Sequence, residues 1–165
     1  FMGEEWAESN PFLYFISHTD KELAALVNKG RKEEFSSFKW QGEAPDPRLE
    51  ETFTNSMLQW NLAEKDHHKA MLDYYRQVIN LRKTLPALNN TDRKKTLAEV
   101  DPDTKVLKLQ RWSNEQHLEC YLNFSDSDQP LSLAEGRSFC KVFESSPSSN
   151  EKLIRAESIV IFERT

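Results

Sequence analysis

The stretch Asn61–Leu88, NLAEKDHHKAMLDYYRQVINLRKTLPAL, separates two halves of different character. Met71, Tyr74, Tyr75, Val78, Ile79, Leu81 and Leu85 recur at helical spacing and Leu72 widens the apolar face, so the pattern predicts one long amphipathic helix. Asn61, with Glu64 three residues on, offers a capping box for its start. Thr84 marks its end, because Pro86 disfavours the α conformation in the residue before it. Short helices and loops are expected ahead of this helix, and short β-patterned runs after it. So broad an apolar face needs a packing partner, and much of that partner is expected to lie outside this chain.

A length of 165 residues, 38% hydrophobic and 30% charged, allows one ordinary domain or a smaller one with an appendage. The formal net charge of -5 argues against nucleic acid as a partner, since binding its backbone requires clustered Lys and Arg. The one strongly basic cluster, Arg93-Lys94-Lys95, is expected to be a solvated loop. No apolar segment is long enough to span a membrane and no signal peptide is visible, which predicts a soluble, cytoplasmic protein. Cys120 and Cys140 have neither CxxC nor metal spacing and sit in apolar β-patterned runs. They are expected to be buried thiols in a reducing compartment; a disulfide between neighbouring strands is the alternative for an exported protein. No metal or cofactor is implied. Asn89-Asn90-Thr91 and Asn123-Phe124-Ser125 match the glycosylation acceptor pattern, which carries little weight without a secretion signal.

The opening Phe1-Met2-Gly3-Glu4-Glu5-Trp6 suits the tail of a buried strand running into a loop, with a glycine for the turn and carboxylates beside an aromatic for a sugar site. A disordered terminus is the alternative. Asn10–Ile16 is an aromatic run, either a short strand or a packed loop. Ser17, His18 and Asp20 follow; a His beside a carboxylate suits a sugar hydroxyl, or is simply structural. Thr19-Asp20-Lys21-Glu22 predicts a capped helix with Leu23, Leu26 and Val27 as its apolar stripe and Gly30 as its close. A second short helix is expected over Arg31–Phe38, with Phe35, Phe38 and Trp40 crowding its end, and Gly42–Pro47 reads as a loop. Glu50–Trp60 is helix-compatible, with Leu49, Phe53, Met57 and Trp60 as anchors.

Beyond the polar linker Asn89–Lys95, strands are predicted at Val106–Trp112, Leu118–Phe124, Leu131–Leu133, Phe139–Phe143 and Ser158–Phe162. Leu118, Cys120, Leu122 and Phe124 alternate with Glu119, Tyr121 and Asn123, as in a strand with one face buried and the other less so. Ile159-Val160-Ile161-Phe162 is continuously apolar, as in a central strand covered on both sides. Short strands and connections favour an antiparallel sheet or small sandwich.

Several stretches together resemble the α-amylase superfamily of glycoside hydrolases. Phe1–Trp6 is similar to the end of the last barrel strand in that family. Tyr75–Arg82 with Pro86-Ala87-Leu88 is similar to the barrel's final helix. Pro11–Phe15 with Ser17-His18 and Asp20, Gly30-Arg31, Glu34-Phe35, Pro45-Asp46-Pro47, Thr52-Phe53 and Ser56–Trp60 resemble its trehalohydrolase branch in order and spacing. Leu118–Ser125 and Ser158–Glu163 look like strands of the β domain that follows the barrel. The resemblance implies an α+β chain: residues 1–90 form the helical segment from the end of a (β/α)8 barrel, and 91–165 an antiparallel β-sheet or sandwich C-terminal domain. Met57 stands where a basic residue is expected in that family, and Trp6 where tyrosine is more usual.

The implied parent reaction hydrolyses the α-1,4 bond joining trehalose to a malto-oligosaccharide, with retention. It needs two carboxyls about 5–5.5 Å apart flanking the scissile bond. The resemblance places the family's Asp nucleophile, Glu acid/base and second Asp upstream of Phe1, so no catalytic residue is assigned and this chain alone is expected to be inactive. Glu4 and Glu5 do not suit the pair, because adjacent side chains on a strand point to opposite faces. The resemblance makes Glu5 a barrel-end residue that supports the site, with Trp6 a stacking surface. Glu5, Trp6, Tyr14 and His18 are expected to line the glucan side of the parent site, or else only to secure the loop against the barrel. The implied partner is a malto-oligosaccharide or trehalose-type glucan, and exposed apolar faces leave self-association open. A branching-enzyme fragment and a non-catalytic glucan-binding or scaffolding module are the alternatives, Trp112 being a candidate platform for the latter.

Overall fold

The computed structural model describes residues 1–37, 45–133 and 136–165, with the backbone alone at 36 and 37. Phe38, Trp40 and the 42–44 part of the expected loop lie outside the described residues. Contacts divide the chain into two compact units, Phe1–Tyr75 and Arg76–Thr165.

The first unit opens with a 3-10 turn at Glu4–Trp6 where the sequence suggested a strand tail. Helix α1 spans Lys21–Ser37 without a break. Gly30, expected to close it, is accommodated in mid-helix, where a single glycine costs about 1 kcal/mol relative to alanine. The cap is Asp20, one residue after the expected Thr19: its Oδ1 accepts from the Glu22 N–H at 2.9 Å and the Leu23 N–H at 3.1 Å. Ala24 and Asn28 are buried, with Val27, Arg31 and Phe35 partly covered, so the packed face is turned away from the expected stripe and leaves Leu23 and Leu26 exposed. Helix α2 is only Glu50–Thr54; its buried anchor is Thr52, whereas Leu49, Phe53, Met57 and Trp60 are all exposed.

The expected long helix is divided. Asn61 and Glu64 fall in a 3-10 turn, Trp60–Glu64. Lys65 is then extended and Asp66 takes a positive φ of 39°, so α3 spans Asp66–Thr84. It ends at Thr84 as predicted, and Pro86 heads a short helix α4, Pro86–Asn89, where the missing proline N–H costs nothing. Met71, Val78 and Ile79 on α3 remain exposed.

In the second unit β1 (Thr96–Asp101), β2 (Val106–Trp112), β3 (His117–Asn123), β5 (Phe139–Glu144) and β7 (Ser158–Arg164) form a five-stranded antiparallel sheet in the order β1-β2-β3-β7-β5. β4 (Gln129–Pro130) and β6 (Leu153–Ile154) pair separately. The predicted strand Leu131–Leu133 does not form: the pairing covers Gln129–Pro130, just ahead of it, and β1 and β6 were not foreseen. β7 lies inside the sheet, as its apolar run requires. Ile154, Leu131 and Leu133 pack over Tyr121, Val160 and Phe162. Leu118 and Cys120 belong to the opposite face, and α4, whose Ala87 is fully buried, contacts β2 and β3. Both faces of β3 are therefore buried, so the face expected to be less covered is as deep as the other: Glu119 and Asn123 are within 2% of full burial, and Phe124 is the exposed one at 65%. Both cysteines are free, but Cys140 is exposed, because β5 is an edge strand with a register shift between Lys141 and Phe143. No helix among the described residues is long and apolar enough to cross a membrane.

Candidate functional site

The 3-10 turn at Glu4–Trp6 is held from several directions. Gly3 enters it at φ 85°, and a Cβ there would meet the Glu8 Cβ at 2.7 Å, so glycine is required by both conformation and space. The Glu8 carboxylate accepts from the Asn10 N–H at 2.9 Å, the Gln59 N–H at 2.7 Å, the Gln59 amide at 3.2 Å and the Trp6 indole at 3.4 Å. Burial pushes this carboxyl up, but those hydrogen bonds outweigh it and hold the pKa at about 2. From α3, the His68 Nδ1–H donates to the Trp6 carbonyl at 2.8 Å, since a carbonyl only accepts, and the Tyr75 hydroxyl donates to Glu4 Oε1 at 2.9 Å. His68 and Tyr75 are seven residues apart, two helical turns, and so share one face.

Glu5 is half-buried and has no hydrogen-bond partner among the described residues, although both of its neighbours in the turn are tied down. Trp6 is 3% exposed, its ring 5.1 Å from that of Trp60, so it is a packed residue here with no open face for a sugar. The segment that follows is extended, anchored by Leu13 N–H to Ser56 Oγ at 3.2 Å and Ile16 N–H to the Pro47 carbonyl at 2.8 Å. Tyr14 is 49% exposed beneath the Arg31 guanidinium, 4.8 Å from its ring centroid. His18 is exposed at the edge of a depression of about 560 Å³ walled by Phe15, Leu49 and Phe53 and edged by Arg48 and Glu50. Arg48 is bound to Asp46 at 2.5 Å, and its hydrogen bond holds the Asp46 carboxyl at about 2. Glu5 and Trp6 thus share one turn, while Tyr14 lines a different depression from His18.

The sequence reading missed Glu8, Gln59 and His68. The spacing of His68 and Tyr75 on one helix face was the available signal for the third. Trp112 is partly covered and stacks on His117 at 5.8 Å, which leaves it a poor platform.

No family model matches the chain. Its sequence is 37% identical over 81% of its length to a malto-oligosyltrehalose trehalohydrolase from a Rhizobium species, and 42% identical over 62% to one from Deinococcus radiodurans. Those matches take in 22% and 17% of the two relatives, so the chain spans about a fifth of their length. Its whole length superimposes on 27% of a Salmonella typhimurium crystal structure assigned as an α-amylase, with a TM-score of 0.80 and 26% identity. The fold is therefore that found at the C-terminal end of α-amylase chains: α+β, a helical segment followed by an antiparallel β part. Within that group, the sequence is similar to the C-terminal part of malto-oligosyltrehalose trehalohydrolases.

Proposed function

We propose that the chain is the C-terminal part of a cytoplasmic glycoside hydrolase of trehalose formation, which releases trehalose by hydrolysing the α-1,4-glucosidic bond next to the trehalose end of malto-oligosyltrehalose. The observation that carries this reading is 37% identity, over 81% of the chain, to a protein named for that activity. The reaction needs a nucleophile and an acid/base flanking the scissile bond, and both are supplied by polypeptide outside this chain. The exposed Phe12, Trp60, Met71 and Ile79 fit a piece of a larger body, since apolar surface on this scale has a covering partner.

In that enzyme Glu5 contributes to the glucan side of the site through hydrogen bonds to sugar hydroxyls. Its neighbours are fixed and its own oxygens are unclaimed, which is what a carboxylate set for a ligand requires. Tyr14 and His18, which line separate depressions, are further candidates for that side, and Trp6 holds the turn. The test is to assay the full-length enzyme and this chain with malto-oligosyltrehalose. Trehalose release by the first and none by the second is expected; a branched glucan product from the first, or hydrolysis by the second, refutes the reading. Replacing Glu5 by Gln in the full-length enzyme should impair turnover.

A further inference from the structure

The turn that carries Glu5 is fixed by a residue that no sequence motif singles out. Glu8 receives four hydrogen bonds and makes no ion pair among the described residues, so its charge is satisfied by oriented N–H groups alone. Two of those come from Gln59, 51 positions further along, and one from the indole of Trp6, next to Glu5. The same carboxylate therefore joins the Glu5 turn to the segment that leads into α3. Packing is served by the Trp6–Trp60 contact, and closing the local turn needs only the bond to Asn10 N–H, not those to Gln59. What the Glu8 bonds add is a defined backbone position for Glu5 relative to residues 57–60.

We propose that Glu8 is a positioning residue for substrate binding: it fixes the turn so that the Glu5 carboxylate meets the glucan hydroxyls. This rests on the reading of Glu5 given above. Glu8→Gln keeps the size of the side chain but replaces one acceptor oxygen by an NH2 group that faces N–H donors; each oxygen accepts two bonds, so two of the four are lost. The turn then gains freedom while the rest of the fold is unaltered.

The experiment compares Glu5→Gln, Glu8→Gln and the double variant in the full-length enzyme, at a temperature where circular dichroism shows each folded. Glu8→Gln is expected to lower kcat/KM roughly tenfold, since displacing a contact group by about 1 Å can cost up to about a hundredfold. Glu5→Gln is expected to do the same, and the double variant to be no worse than the poorer single one, because both changes remove one contact. A Glu8→Gln enzyme with a lower Tm but unchanged kcat and KM would mean a purely structural role and overturn the proposal. So would fully additive losses. If Glu5→Gln is harmless, the reading of Glu5 fails; if Glu5→Gln impairs turnover and Glu8→Gln does not, only the present inference fails. Should Glu8→Gln not fold, Gln59→Ala, which removes the 3.2 Å amide bond to Glu8 together with those to Ser9 and Asn10 and leaves the 2.7 Å backbone one, carries the same comparison with a smaller loss expected.

Discussion

Replacing Lys108 by Met is expected to destabilise the sheet unit by about 3 kcal/mol at neutral pH. Glu119 is 1% exposed at the centre of the sheet, with Lys108 Nζ 3.0 Å from its Oε2 and the Tyr121 hydroxyl donating to the same oxygen at 2.7 Å. Attraction across 3.0 Å amounts to about 5.5 kcal/mol at an effective dielectric of about 20. Removing Lys108 also relieves its own burial, and its side chain is one quarter exposed, which places the net loss at the lower end of the 3–5 kcal/mol typical of breaking a buried pair. The sign of the pH dependence follows. In the native chain burial pushes the Glu119 carboxyl up, but Tyr121 and Lys108 outweigh it and the pKa is lowered from 4.5. That group therefore contributes stability above pH 4.5, which is lost as the pH falls through the lower folded value. Without Lys108 the burial remains and the folded pKa rises, so the cost of the substitution shrinks as the carboxyl protonates. Urea unfolding of both chains, followed by far-UV circular dichroism at pH 7 and pH 4, measures this directly. A loss under about 1 kcal/mol that is equal at both pH values would show that Lys108 does not stabilise the buried carboxylate.

Three further outcomes are expected. Exposed Cys140 should react with a thiol reagent at pH 8 in the native chain, whereas Cys120, whose pKa burial pushes up to about 11, should react only in urea; two equivalents in the native chain would contradict this burial. Asn123 donates to the Ser127 and Arg155 carbonyls at 2.8 and 2.9 Å and accepts from Ser125. Asn123→Asp turns a carboxylate toward those carbonyls and should cost about 2–3 kcal/mol in urea unfolding, and unchanged stability would refute that account. Gly3→Ala, which meets both a positive φ and the Glu8 side chain, should lower stability by about 1–2 kcal/mol in thermal unfolding, and an unchanged Tm would show that the turn can shift freely.

The β unit was largely legible because its central strands bury side chains at period two. β2 and β7 begin where the apolar runs do, and β3 starts one residue earlier than expected. β1 escaped notice because only its first residue is even partly covered, and its six pairings with β2 are made by backbone groups that leave no apolar pattern. Burial of Glu119 and Asn123 was equally invisible. Alternation marks polar residues as outward, and only the partners Lys108, Tyr121 and the 125–127 turn make an inward polar group acceptable. The same burial disposes of the Asn123 glycosylation pattern, since its side-chain nitrogen is occupied inside the fold.

The helical unit was harder to read for a reason that also bears on the site. Its apolar residues do not sort into inside and outside within this chain: Phe12, Leu26, Met57 and Trp60 are exposed, while Thr52, Asn28 and His68 are buried. A hydrophobic stripe reports the sum of all surfaces a helix meets, and it misleads when the surface present is only part of that sum. The candidate carboxylate Glu5 could be singled out from sequence because it lies in the short stretch Phe1–Trp6, which carries the family resemblance. Its supports could not, because Glu8 acts through Gln59, 51 positions away, and His68 through a carbonyl 62 positions away. Local sequence names a candidate group, whereas long-range hydrogen bonds decide whether its backbone is held still. If the function proposed above holds, substitutions at Glu8 or His68 should alter substrate binding in the full-length enzyme by releasing the Glu4–Trp6 turn, to which both are hydrogen-bonded.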